Sequence, residues 1–96
     1  KEVGAVNFLI CYDISNTKLR TKVAKYLEAF AIRIQYSVFI CDVSKQVINK
    51  AKKDILRLIN NYADGTIAIY PLCENCYEKL WIIGKPKEER SDFYIF

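Results

Sequence analysis

Ninety-six residues make one domain, and a chain this short gains from burying surface against a partner. Hydrophobic residues are 52% of the sequence, yet no apolar run approaches the roughly 18 residues of a membrane span, and residues 5–12 lack the basic start and cleavage site of a secretion signal. The net charge of +4 and four cysteines without such a signal fit a cytoplasmic chain with reduced thiols and a polyanionic partner, and no membrane role.

Residues 5–13, Ala-Val-Asn-Phe-Leu-Ile-Cys-Tyr-Asp, are almost continuously apolar and read as a buried strand. Ser15 or Asn16 can cap the helix that follows, since a short oxygen-bearing side chain satisfies a free backbone N–H. Leu19, Val23, Tyr26, Leu27 and Phe30 recur at helical spacing. Residues 33–42 are rich in β-branched and aromatic types and form one bent strand or two short ones. Ser44 can cap a second helix, whose apolar stripe is Ile48, Ala51, Ile55, Leu58 and Tyr62. Asp64-Gly65 makes a turn, residues 66–72 read as a strand and residues 79–84 as another. Residues 85–92 are polar, and residues 93–96 form a short apolar end.

This order, β-α-β-β-α-β with an additional C-terminal strand, is an α+β chain of the ferredoxin-like kind, a single domain over 1–96 with 85–96 as a C-terminal extension. Alternation makes both faces of the sheet apolar. Phe8 and Ile10 oppose Leu9 and Cys11, Val38 and Ile40 oppose Phe39 and Cys41, and Leu80 and Ile82 oppose Trp81 and Ile83. Two helices cover one face. The second calls for another cover, and a second copy of the sheet in a homodimer is the simplest. The C-terminal extension is expected to pair with that partner subunit, because an open edge seeks a strand.

The cations are clustered. Lys18, Arg20, Lys22, Lys25 and Arg33 meet one acid, Glu28, in their segment; Lys45, Lys50, Lys52, Lys53 and Arg57 meet Asp54 alone in theirs. Such clusters suit a nucleic-acid backbone, though two solvated helix faces would have the same composition. The chain has no histidine, which excludes Ser-His and Cys-His nucleophile pairs and histidine acid–base chemistry. It has three glycines and no phosphate-binding glycine loop. A carboxylate holding a divalent metal is the remaining route to phosphate chemistry, and magnesium accepts one or two carboxylates. Asp13, at the end of the first strand and just before a basic helix, is the best placed; it could equally turn the chain or cap the helix.

Cys73-Glu74-Asn75-Cys76 has the spacing of half a zinc site, placed at a turn. Its other half would have to come from Cys11 and Cys41 or from the other subunit, so ordinary thiols beside a tight turn are the simpler reading, ahead of structural zinc and of a redox pair. The aromatics Tyr12, Tyr36, Phe39, Tyr70 and Trp81 fall on expected strands, where they can stack bases or fill a core.

Tyr12-Asp13-Ile14-Ser15, then Arg20 and Lys22, then Arg33-Ile34-Gln35-Tyr36-Ser37-Val38-Phe39 resemble the CRISPR-associated protein 2 family. Ile67-Ala68-Ile69-Tyr70-Pro71-Leu72-Cys73 and Gly84-Lys85-Pro86 extend the resemblance over nearly the whole chain. It implies a homodimer of ferredoxin-like domains that works with the CRISPR integrase subunit in capturing foreign DNA. It also implies a metal-dependent endonuclease acting on single-stranded RNA or double-stranded DNA.

On this resemblance the family's strand-end aspartate falls on Asp13 and its neighbouring tyrosine on Tyr12. Its basic helix positions fall on Arg20 and Lys22, and its second motif on Arg33, Ser37 and Phe39. Lysine stands at position 22 where an arginine can stand, which keeps the charge and loses the two-pronged phosphate contact. The mechanism expected is a magnesium ion (Mg2+) shared between two Asp13 carboxylates, one per subunit, with Arg20 and Arg33 steadying the phosphate and Phe39 shaping the cleft. Lys18, Lys22, Lys25, Ser37, Lys50, Lys52, Lys53 and Arg57 are expected to hold nucleic acid. Two other classes stay open: a non-catalytic module whose basic helices grip duplex DNA and bridge the integrase, and a toxin-like endoribonuclease on the same fold.

Overall fold

The computed structural model describes residues 4–83. Strand β1 (Ala5–Asp13) leads into helix α1 (Thr17–Glu28), then β2 (Ile32–Gln35), β3 (Val38–Ser44), helix α2 (Lys45–Asn60), β4 (Thr66–Leu72) and the short helix α3 (Glu74–Glu78). The four strands form one antiparallel sheet in the order β2-β3-β1-β4. Each long helix therefore connects two strands that skip a neighbour, and the fold is ferredoxin-like α+β. Among the described residues no helix is long and apolar enough to cross a membrane.

The helix starts follow from their caps. Asn16, not Ser15, accepts the N–H of Leu19 at 2.9 Å, and Ser44 accepts that of Val47 at 3.3 Å. The strand-rich stretch after α1 is two strands joined through Tyr36 and Ser37. Among the described residues none other than glycine has positive φ, so the tight primed hairpin turns are not available to this hairpin. The ladder absorbs the mismatch as a register shift between Arg33 and Gln35. Gly65 has φ of +132°, a conformation side chains resist, and this lets the chain turn over Ile14 and Leu19 into β4.

One core lies between the helices and the sheet. Phe8, Ile10 and Tyr12 of β1 and Phe39 and Cys41 of β3 meet Leu19, Val23 and Leu27 of α1 and Ile48, Ala51 and Ile55 of α2. Each fully buried aliphatic or aromatic chain here contributes about 1.5–3 kcal/mol. Leu58 and Tyr62 are half-buried at its margin.

The opposite sheet face is apolar as the alternation predicts, and the chain itself covers part of it. Ile34 and Ile40 pack with Ile82, flanked by Leu9, Ile32, Val38, Leu72, Tyr77 and Leu80. Residues 79–83 do not form the expected strand: Ile82 makes a single bridge, while Lys79 and Leu80 donate their N–H groups to the carbonyls of Cys76 and Tyr77. Those donors are used in closing α3 and are lost to any ladder. The alternation survives without the strand, for Ile82 is buried while Trp81 and Ile83 are 64% and 62% exposed. The extension over residues 85–96, with its expected pairing to a partner subunit, lies outside the described residues.

Candidate active site and basic faces

β1 ends at Asp13, paired opposite Thr66 of β4. The loop that follows is held by Arg20, which donates through Nη1 to the carbonyls of Ile14 (3.0 Å) and Ser15 (3.2 Å) and through Nη2 to Thr17 Oγ1 (3.3 Å). Its guanidinium also lies 5.9 Å from the ring centre of Tyr36. Asp13 is exposed, and among the described residues no ion pair or side-chain hydrogen bond engages its carboxylate. It opens on a recess of about 160 Å³ lined by Tyr12, Ile14, Arg20, Tyr36 and Ser37. A carboxylate held at a strand end with its lone pairs unused is available to a cation or a proton.

Tyr12 separates this recess from a second one of about 300 Å³, where Arg20 and Tyr36 meet Lys25, Glu28 and Arg33. Arg33 is 21% exposed, pairs with Glu28 at 3.8 Å and lies 5.1 Å over the Phe39 ring. Its Nε is buried with no acceptor among the described residues. Burial pushes the Tyr12 hydroxyl up from its ordinary range, and the nearby Arg33 charge pulls against that shift. Phe39 is fully buried, stacked on Tyr12 at 6.1 Å, so it supports the site from beneath and does not line a cleft. Its position, odd-numbered on β3 opposite Ile10, turns it to the helix face. The structure thus gathers Asp13, Tyr12, Arg20 and Ser37, and sets Arg33 in the neighbouring recess.

The two helices lie on one face of the sheet. Lys18, Lys22 and Lys25 are exposed on α1 and Lys52 and Lys53 on α2. Lys50 and Arg57 are exposed too, but both are turned to Asp54, at 2.8 Å and 3.5 Å. Asp54 also accepts the Tyr26 hydroxyl at 2.6 Å, joining α1 to α2. The Lys50 hydrogen bond, then that of Tyr26, holds the Asp54 carboxyl below its usual range. The positions of Tyr36 and Ser37 in the hairpin turn, and of Trp81 outside any strand, differ from the expected all-strand placement of the aromatics.

Tyr26 gives this network a pH signature. Burial, the Asp54 hydrogen bond and the Asp54 charge push its hydroxyl up to about 12. The unfolded chain releases the same proton at about 10, so the folded state binds it more tightly. The contribution is complete below the unfolded value and is lost as pH rises through the folded one. Melting temperature should fall more steeply between about pH 10 and 12 in the parent than in Tyr26→Phe. Parallel profiles would show that the proton is not held by folding.

The Asp13 carboxylate is a hard oxygen donor of the kind magnesium takes. Among the described residues no three metal-ligating side chains come together, so a cation held there would need water, phosphate or another chain to complete its shell. A zinc site on the cysteines fits less well. Cys11 pairs with Val38 on one face and Cys41 with Phe8 on the other, so the two cannot converge on Cys73 and Cys76. The C-x-x-C does not sit at a plain turn but opens α3, with Cys73 as its cap.

Sequence reading missed Glu28 as the partner of Arg33 and Tyr26 as the link to Asp54. The i,i+4 spacing of Lys50 and Asp54 is legible in the chain; a contact across 28 positions is not.

The family model for CRISPR associated protein Cas2 matches residues 6–80. The CRISPR-associated endoribonuclease Cas2 1 of Chloroflexus aurantiacus is 39% identical over 90 residues, covering 92% of this chain and 97% of its own. Among solved structures, Cas2 of Streptococcus pyogenes superposes with a TM-score of 0.67 at 28% identity, over 77% of this chain and 94% of that one. A chain of a partial Cas6-RT-Cas1–Cas2 complex superposes with a TM-score of 0.66 at 27% identity, over 74% and 77%.

Proposed function

The chain belongs to the CRISPR-associated protein Cas2 family, and from that premise we propose that it acts in CRISPR spacer acquisition as a homodimer with two capacities. It binds double-stranded DNA through its basic helices and bridges the integrase subunit, and it cleaves phosphodiester bonds, in single-stranded RNA or duplex DNA, with magnesium at Asp13. The observation that carries the cleavage reading is the exposed, unengaged Asp13 carboxylate beside a loop that Arg20 holds in place. Relatives named as endoribonucleases support it, and a similar fold within a Cas1-containing complex supports the integrase partnership.

The dimer reading rests on the second sheet face. Asp13 shares its parity in β1 with Leu9 and Cys11, on the side away from the helices. A second copy seated on that face brings two Asp13 carboxylates towards one another and completes the cation site. Magnesium, when bound, polarises the phosphate and makes a water nucleophilic near neutral pH. Arg20 keeps the Asp13 loop in register, and its charge offsets that of the incoming phosphate. Tyr36 offers a ring beside the recess against which a base can stack.

The DNA-binding half is tested by a salt series on duplex DNA. Five lysines, Lys18, Lys22, Lys25, Lys52 and Lys53, present charge that no acid on the chain engages among the described residues. Replacing Lys52 and Lys53 by Gln should flatten the plot of log affinity against log salt by nearly two units, at about 0.9 per phosphate contact. Lys50→Gln should change the slope less, because Asp54 already engages that ammonium. Equal slopes for parent and double variant would make the α2 lysines a solvated face.

A further inference from the structure

We propose that Cys73 and Cys76 form a dithiol that exchanges with low-molecular-weight disulfides and closes into an intramolecular Cys73–Cys76 disulfide. Neither residue belongs to the Asp13 recess or to the basic helices. Both are exposed, and both are free thiols. Cys73 caps α3, and its Sγ accepts the backbone N–H of Cys76 at 3.3 Å. That bond brings the first turn of α3 back over the Cys73 side chain. Cys73 is the cap and Cys76 the third helical residue, and the turn between them is closed by the Tyr77 N–H donating to the Cys73 carbonyl at 2.9 Å, which keeps the pair near the roughly 4.4–6.8 Å between Cα atoms that a disulfide spans. The bridge therefore forms without moving the backbone far.

The two sulfurs are not equivalent. Hydrogen bonds from the Cys76 N–H and thiol hold the Cys73 thiol below its ordinary range, while the hydrogen bond and charge of Cys73 push Cys76 up. This is the asymmetry that an attacking thiolate and a resolving thiol require. Cys41 makes an internal contrast, since burial first, and then the Asp42 charge, push its thiol up to about 11. A metal is the other use of paired thiols. Among the described residues, however, no third ligand stands near enough to build a site.

The exchange balances in two steps. The Cys73 thiolate attacks one sulfur of the small disulfide, whose S–S bond breaks and releases one thiolate. A mixed disulfide remains on Cys73. Cys76 then loses its proton to solvent and attacks the Cys73 sulfur, and the second small thiolate leaves. The protein dithiol is oxidised by two electrons and the small disulfide is reduced to two thiols. The product ties the cap of α3 to its first turn. Tyr77, the next residue, packs against the cluster of Ile34, Ile40 and Ile82 on the second sheet face, so the bridge stiffens an element bordering that face.

The full chain is incubated with glutathione disulfide, quenched with iodoacetamide and read by mass spectrometry of the intact protein and its peptides. The expected result is a Cys73–Cys76 link within one chain, with Cys41 left reduced. Cys76→Ser should stop at a glutathione adduct on Cys73. Cys73→Ser should slow glutathione uptake by about tenfold, as its thiolate is the attacking group. Full alkylation of both cysteines after the incubation would overturn the proposal, as would a link between two chains. Uptake by Cys73→Ser at the parental rate would overturn it too. So would protection of both thiols by zinc alone with two chains per ion, which would make the pair a metal half-site.

Discussion

Asp13→Asn should lower magnesium-dependent cleavage on the order of a hundredfold or more, the scale seen when a group stabilising transition-state charge is removed. Asparagine keeps the size of the side chain and its hydrogen bonding and removes the charge that holds a hard cation. The fold should be unaffected. Asp13 is exposed, and no ion pair or side-chain hydrogen bond within the described residues depends on it. Duplex binding should persist and tighten, because a negative charge leaves a phosphate-binding surface. Insertion of spacers with the integrase supplied should also persist, since the exposed lysines do not involve this residue. Parental cleavage by Asp13→Asn would make Asp13 a strand-end residue and place any cutting elsewhere.

The same variant tests whether the site is shared. When parent and Asp13→Asn chains are mixed equally and allowed to exchange, about one quarter of dimers carry two carboxylates and about one half carry one. A site needing both then retains about a quarter of the activity, and a site complete in each copy retains about half. Light scattering on the mixture gives the mass of the exchanging species. The half-value would separate the nuclease from the dimer and leave each copy with its own cation site.

Much of this site was legible in the sequence because it sits where periodicity is plain. The run ending at Asp13 alternates cleanly once the helices are placed, and the lysines of α1 and α2 fall between apolar positions that fix the buried stripe. The hairpin was harder. Residues 33–42 carry no glycine or proline, so the turn at Tyr36 and Ser37 has no sequence marker and is made by a register shift. α3 was missed because a five-residue helix cannot show a helical period, and the alternation of Leu80, Trp81, Ile82 and Ile83 mimics a strand. The expected roles of Arg33, steadying the phosphate, and Phe39, shaping the cleft, are the least legible. Alternation alone turns Phe39 to the helix face, but its contact with Arg33 depends on the pairing of the two across β2 and β3, which the residue types do not mark.

Phe39→Ala should cost about 3–5 kcal/mol, the range for truncating a buried aromatic. Phe39 is fully buried between Tyr12 and Arg33, and truncation empties the space beneath both. A domain of this kind has about 5–15 kcal/mol in total, so the variant gives up a third or more of a typical stability and nears unfolding at the low end of that range. Loss of activity in that variant would be uninformative, and Phe39→Leu separates the two roles. Leucine keeps much of the volume and should cost about 1–2 kcal/mol, leaving a folded protein whose urea midpoint shifts without a change in slope. It removes the ring face under the Arg33 guanidinium, worth about 0.5–1 kcal/mol at a partly exposed site. A cycle of Phe39→Leu, Arg33→Met and the double variant should return a coupling of that size. Cleavage by Phe39→Leu should fall no further than by Arg33→Met, since the ring acts through the arginine it supports. A Phe39→Leu protein as stable as the parent that no longer cuts would instead put the ring against the substrate, and the buried position would have to open for it to reach there.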